Sequence, residues 1–328
     1  MGNFYASLHF ILKIYLSSMT DNSRRSFMKN AATLAATTAL MPNLDWLKTE
    51  KPIGIQLWSV KEEMADNADK TLKALAKMGY NYLEGFGMKN GKIFDKTPLE
   101  FRKMMKEYEL KMSSLHNVFT SKHYDTTKKT VTDEWKQTVE NALKMGNRFL
   151  ISPFTVEEDR KSPDTYKEFC DMLNKCGEYC KEQNIRFGYH NHAYEFQTKW
   201  DGKMMYEVLM ENTNPEVVTM ELDWMWAVRG GQNVVSLFEK YPGRFELAHI
   251  KDLAEEGKDE STIIGEGVID FEAILTDIRK GGTKMYIVEL EHYQKDPVAD
   301  VKVCLNNLKD ILEDVESGKK KGKKKKKK

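Results

Sequence analysis

Two periods of apolar residues take turns along the chain from Ile53 onward. Stretches with apolar positions three and four apart read as amphipathic helices, and the short apolar runs between them read as strands. The strands fall near residues 53–58, 80–86, 111–117, 147–153, 185–192, 217–223, 245–251 and 284–291. Helical patterns cover 67–78, 97–108, 133–145, 164–182, 203–211, 232–240 and 270–280. Two segments, KTLKALAKMGYNYLEGF and ENALKMGNRFLISPF, repeat one unit of helix, Met-Gly and strand. Gly79 and Gly146 stand where a left-handed residue ends a helix. Eight strands alternating with helices at crossover length predict a single-domain α/β fold, a (β/α)8 TIM barrel. A doubly wound sheet is the other arrangement of such units, but IGIQLWSVKEEM carries no Gly-rich phosphate loop.

Functional groups of such barrels gather at the C-terminal ends of strands. Residues two apart on a strand share a face, which pairs His190 with His192, Glu221 with Asp223, His249 with Lys251, and Glu289 with Glu291. Trp58, Glu84 and His116 stand at the ends of the first three strands, whereas the opposite ends carry Asn81, Lys111, Arg148, Arg186 and Lys284. A lone strand-end His is more often a hydrogen-bonded core residue than a ligand, and Asp223 alone could cap the helix after it. Four strands with the same feature change that balance, because unpaired polar groups in one barrel mouth are costly to bury. Imidazole and carboxylate together suit Zn, Mn, Fe or Co better than Ca.

Hydrophobic residues make up 41% of the chain and aromatics 11%, enough for a sizeable core. The net charge of +1 is set by the end of the chain, where nine of residues 319–328 are Lys; the rest carries −8. An acidic body disfavours a nucleic-acid-binding face. Residues 313–328 are expected to be a disordered Lys-rich tail. Cys170, Cys176, Cys180 and Cys304 lie on helical patterns without a CxxC or a zinc spacing. Within residues 1–45, SRRSFMK followed by AATLAATTAL resembles a twin-arginine export signal, with Met19 a candidate start inside an extended N-terminus. That places the folded part, residues 50–312, in the periplasm, with no stable membrane span after processing because the apolar run is too short.

LDWMWAVRGG after the sixth strand, AHIKD in the seventh, IGEGVIDFEAIL before the penultimate helix and IVELEH in the eighth strand, with IGIQLWSV and GYHNHAYEF, resemble the xylose-isomerase-like barrels known as sugar phosphate isomerases/epimerases. The likeness covers about residues 53–310. It implies a divalent metal ion held by strands five to eight, with Asp223, His249 and Glu289 matching the family's Asp, His and last Glu. The family's strand-five ligand is a Glu, where this chain reads YHNH, with His190 the nearest match and His192 the second choice. The departure removes one base of a two-glutamate epimerase, which favours isomerisation or β-elimination. Glu84 and His116 then stand where similar proteins hold sugar hydroxyls, Trp58 and Trp226 where a sugar ring could stack, and Glu195 and Glu291 as further substrate contacts. Glu289, Lys251 and His192 are the candidates for proton transfer, and GEG at 265–267 either touches a phosphate or is simply the turn before a helix, two readings of equal weight. The implied function is a metal-dependent isomerase or epimerase acting on a small sugar or keto-sugar by proton abstraction alpha to a carbonyl. Alternatives are a 3-keto-glycoside lyase, a periplasmic sugar-binding protein and an endonuclease-type phosphodiesterase. No nucleic-acid partner is expected, and an oligomer is left open.

Overall fold

The computed structural model describes residues 52–318. Eight parallel strands close into a barrel in chain order: β1 (Ile53–Gln56), β2 (Tyr82–Phe86), β3 (Lys111–His116), β4 (Phe149–Ser152), β5 (Arg186–His190), β6 (Val218–Asp223), β7 (Leu247–Ile250) and β8 (Met285–Val288). The seam pairs β1 with β8, Gly54 opposite Ile287. The principal helices outside it are α1 (Lys61–Met78), α2 (Pro98–Glu107), α3 (Asp133–Met145), α4 (Pro163–Glu182), α5 (Met205–Asn212), α6 (Val234–Lys240), α7 (Phe271–Gly281) and α8 (Pro297–Ser317). The (β/α)8 barrel predicted from periodicity is the fold.

Local chemistry fixes the helix ends. Thr97 and Glu100 form a capping box ahead of α2, with Pro98 in its first turn. Gly79 and Gly146 close α1 and α3 at φ 100° and 96°, a region that costs Gly little. α1 begins at Lys61, earlier than the pattern showed, and breaks at Asn67. Asn67 Oδ1 accepts a hydrogen bond from Lys70 N at 3.0 Å, so it caps the segment that the periodicity revealed.

The strands are shorter at their C-terminal ends than expected. Trp58, His192, Lys251, Glu289 and Glu291 lie beyond their strands, which end at Gln56, His190, Ile250 and Val288. At the other boundary, α8 runs to Ser317 and is closed by Gly318 at φ 67°. The folded body therefore passes the expected limit at 312, because Ile311, Leu312 and Val315 still pack on the core. The export signal expected over 1–45 and the lysines of 319–328 lie outside the described residues.

Two apolar layers support the site. One lies between strands and helices and includes the four cysteines, all buried and unpaired. The other fills the lower barrel with Ile151, Leu247, Met285 and Ile287, flanked by Tyr82 and Phe149. Each fully buried aliphatic side chain contributes about 2 kcal/mol. Gly188 makes room in this inner layer: a Cβ there would stand 2.7 Å from Ile151 Cδ1 and 2.8 Å from Thr219 Cγ2. Above the layer the interior turns polar. Among the described residues no helix is long and apolar enough to cross a membrane.

Candidate functional site

Strand register builds the polar mouth row by row. Gln56 stands opposite Glu84, and Glu84 opposite Ser114, across β1, β2 and β3. A register shift between Leu83 and Glu84 brings Ser114 and His116 into this phase. Farther round, His190 faces Glu221, and Asp223 faces His249. Gln56 Nε2 donates to Glu84 Oε1 at 2.8 Å, and Ser114 Oγ donates to Glu84 Oε2. His249 Nε2 is 2.6 Å from Glu84 Oε1, and His116 Nε2 is 3.1 Å from the same oxygen. Glu221 Oε2 meets His116 Nε2 at 2.6 Å, His190 Nδ1 at 3.0 Å and His249 Nε2 at 3.2 Å.

A second group stands above this one and shares His249. His249 Nδ1 lies 3.1 Å from Glu289 Oε2 and 3.8 Å from Asp223 Oδ2. Lys251 Nζ is 3.0 Å from Glu289 Oε2, 2.9 Å from Glu291 Oε2 and 3.8 Å from Asp223 Oδ2. Asp223 is fixed by Trp226 N, which donates to its Oδ1 at 2.8 Å, and by a two-way bond between its backbone and the Asn191 side chain. The Trp226 ring lies 5.1 Å from Lys251 Nζ and 5.5 Å from the His192 ring.

Burial and charge oppose each other throughout. Burial works against a charged His116, yet Glu84 and Glu221 raise it to about 10. His249 is raised well above the usual imidazole range, because Glu221, Glu289 and Glu84 outweigh its burial. Burial disfavours charge on Glu84 and Glu289 as well, but His116 and His249 hold the first low, and Lys251 and His249 the second. Asp223 is pushed up to about 7 by burial, and Glu221 to about 7 by burial and the Glu84 charge. Lys251 is buried, but Glu289, Asp223 and Glu291 raise its pKa and keep it an ammonium. His190 and His192 are lowered, chiefly by burial, and are neutral.

Two donor sets have the compactness a metal ion needs. Asp223, His249 and Glu289 form one, and His116, His190, Glu221 and His249 the other, with donor atoms in each within 4.8 Å of one another. In the upper set Asp223 Oδ2 is buried without a hydrogen-bond partner, a costly state that a cation would relieve. The lower set is largely bonded to itself, although Glu221 Oε1 is likewise buried and unpartnered.

The structure thus brings together Glu84, His116, His190, Asp223, His249, Lys251, Glu289 and Glu291, with His192 and Trp226 alongside. His190 stands against Glu221 through Nδ1, among the lower donors. Glu84 is fully buried and bonded on both oxygens, so it supports the mouth rather than meeting sugar hydroxyls. Trp58 is 39% exposed on the rim, edge-on to Phe86 at 5.0 Å and outside the polar network.

Two further expectations are overturned. Glu195 is fully buried, its oxygens taken by Tyr189 Oη at 2.8 Å and His192 N at 2.8 Å. It lies in the helical turn Tyr194–Gln197 and bonds back to the strand-five segment. The GEG turn has an anion of its own: Gly265 N and Gly267 N each donate to Asp252 Oδ2 at 2.9 Å. Glu221, Gln56, Ser114 and Asn191 were not among the expected site residues. Glu221 was the most legible, since it shares the inward phase of Asp223.

Comparison with known proteins agrees with this architecture. The sequence profile described as xylose isomerase-like TIM barrel matches residues 72–320. An inosose dehydratase of Geobacillus kaustophilus is 22% identical over 239 residues, 64% of this chain and 75% of that protein. Inosose dehydratase 2 of Bacillus cereus is 28% identical over 160 residues, 44% of this chain and 51% of its own length. The crystal structure of a sugar phosphate isomerase/epimerase from Parabacteroides distasonis superposes with a TM-score of 0.68 at 29% identity, covering 79% of this chain and 98% of that one. The IolI protein, solved with a bound zinc atom, gives a TM-score of 0.65 at 18% identity over 81% of this chain and 99% of its own, a likeness of fold alone. With the profile matched over most of the chain and the eight-stranded barrel closed, the chain belongs to the xylose isomerase-like TIM barrel family.

Proposed function

We propose that this chain is a divalent-metal-dependent lyase acting on a keto-sugar or a related polyhydroxy ketone. It removes the proton alpha to the carbonyl and expels the substituent beta to it. One observation carries the reading: Asp223, His249 and Glu289 converge within 4.8 Å around an unpartnered carboxylate oxygen, beside a buried ammonium. Similarity to inosose dehydratases supports the eliminative outcome. Aldose–ketose isomerisation is the second reading, supported by the Parabacteroides distasonis isomerase/epimerase at 29% identity. Both begin with the same proton removal. The imidazoles on strand five argue against epimerisation between two glutamate bases.

Asp223, His249 and Glu289 would hold the ion, with His190 as the strand-five candidate. When bound, the ion supplies Lewis acidity to the carbonyl oxygen. Lys251 is fixed by Glu289 and Glu291 and stays protonated, so it acts as a positive pole for the enolate oxygen rather than as a base. His192 has an unpartnered Nδ1 and is the group assigned to take the carbon-bound proton; burial and the Lys251 charge lower it to about 3, so its basicity has to come from the enolate charge that develops beside it. The electron pair moves onto the carbonyl oxygen, and its return expels the beta substituent, which departs as water or an alcohol carrying the proton. Trp226 offers a flat apolar wall beside Lys251 and His192. With the GEG turn filled by Asp252, a substrate without a phosphate is favoured.

The test joins metal analysis with isotope exchange. Purified protein is expected to carry a divalent ion, and Asp223→Ala and His249→Ala to lose ion and activity while keeping their circular dichroism. In deuterated water, incubation with inososes and keto-glycosides should release water or aglycone and put deuterium at the alpha carbon of recovered substrate, or at the former beta carbon of the product as its enol returns to the ketone. Full activity in excess chelator with no metal in the protein would sink the metal reading, and turnover without deuterium in substrate or product would argue against the proton-abstraction step.

A further inference from the structure

We propose that Glu84 is a positioning residue that anchors the Nε2–H of His249, so that Nδ1 is the nitrogen left to face Asp223 and Glu289 as a donor. The inference rests on the metal-dependent reading above and concerns how the chain prepares its own donor. The two nitrogens of His249 face different groups: Nε2 stands 2.6 Å from Glu84 Oε1, and Nδ1 stands 3.1 Å from Glu289 Oε2. An imidazole that binds a metal through one nitrogen carries its proton on the other, where a carboxylate commonly receives it and makes the ring a better donor.

Glu84 is built for that task. It is fully buried, and Gln56 Nε2, Ser114 Oγ and His116 Nε2 all bond its carboxylate, so it cannot turn away. The His116 ring lies parallel to His249, with 5.3 Å between centroids and 6° between planes, and limits tilting of the ring. These supports come from β1 and β3, while Glu221, on the strand of Asp223, stands farther from the same Nε2 at 3.2 Å. Strand five shows the same device, since His190 turns Nδ1 onto Glu221 Oε2 at 3.0 Å and leaves Nε2 as its remaining donor.

The experiment measures cobalt(II) binding by wild type, Glu84→Gln, Glu84→Asp and Ser114→Ala, through chelator competition and the visible spectrum of the bound ion. Glu84→Gln is expected to bind cobalt about 10–100-fold more weakly and to shift the ligand-field bands. Glu84→Asp, which keeps a carboxylate, should recover part of the loss. Ser114→Ala removes one fixing bond and no charge, and a few-fold loss is expected there; it serves if Glu84→Gln does not fold. Unchanged cobalt affinity and spectrum in the folded variants, with only a lowered Tm, would mean that Glu84 is merely structural and would overturn the inference alone. Wild-type protein that binds no cobalt would overturn the metal reading, and the inference with it.

Discussion

Glu195 shows what burial does to a single group. Burial pushes its carboxyl up to about 7, against the bonds from Tyr189 and the backbone of His192. The unfolded chain gives it the ordinary value of about 4.3. The folded state therefore holds the proton more tightly, so this contribution to stability is complete below about 4.3 and is lost as pH rises through about 7. The loss is roughly 4 kcal/mol over the whole window, and about 3 kcal/mol of it falls above pH 5. Glu195→Gln cannot titrate, so urea melts at pH 5 and pH 8 should show wild type losing ground to the variant by that amount. An equal difference at both values would mean that Glu195 does not exchange its proton there. Sequence alternation picked out Asp223, His249, Lys251 and Glu289 because inward phase persists a residue or more past a strand end. It misread Glu195, whose direction depends on the helical turn after β5 and not on the strand period.

At the scale of elements, the loop after β7 is fastened by one side chain. Asp252 accepts from Leu253 N at 2.9 Å, Gly265 N at 2.9 Å, Gly267 N at 2.9 Å and Ile269 N at 3.2 Å. Asp252→Ala is expected to cost about 2–4 kcal/mol in denaturant melts, because buried amides lose their acceptor. Gly267→Ala should be comparably harmful, since its Cβ would stand 2.2 Å from Leu253 O. Millimolar phosphate should leave the wild-type Tm unchanged, and a clear rise would show that the turn opens to an external anion. The local sequence reads as a phosphate loop because its true anion lies 13 to 15 residues earlier, beyond the reach of any short motif. The break in α1 was legible for the opposite reason: Asn67 and the amide it caps are three residues apart.

Over the whole molecule, the eight-fold alternation was readable because each helix and strand keeps its own apolar period. The reach of α8 to Ser317 was not, since ILEDVES has tail-like charge and its apolar positions matter only once α8 packs on the core. The upper donors come from β6, β7 and the residue after β8, so a bound ion ties together the barrel's last three strands. An ion at a thousand times its Kd stabilises the folded state by about 4 kcal/mol, or on the order of 10 °C in Tm for a domain of this size. Chelation is expected to lower Tm by that amount, and re-addition of the ion to restore it. A Tm indifferent to chelator would contradict the assignment of these donors.

The order of the chain also sets when the site can exist. Gln56, Glu84, Ser114 and His116 leave the ribosome first, whereas Asp223, His249 and Glu289 come after more than half of the chain has been made. A fragment ending before β6 holds the supports and none of the three upper donors, and it should lack the bound-cobalt spectrum of the whole chain. The three upper donors are complete only once Glu289 has been made, so an ion held by all of them would have to wait for nearly the whole barrel.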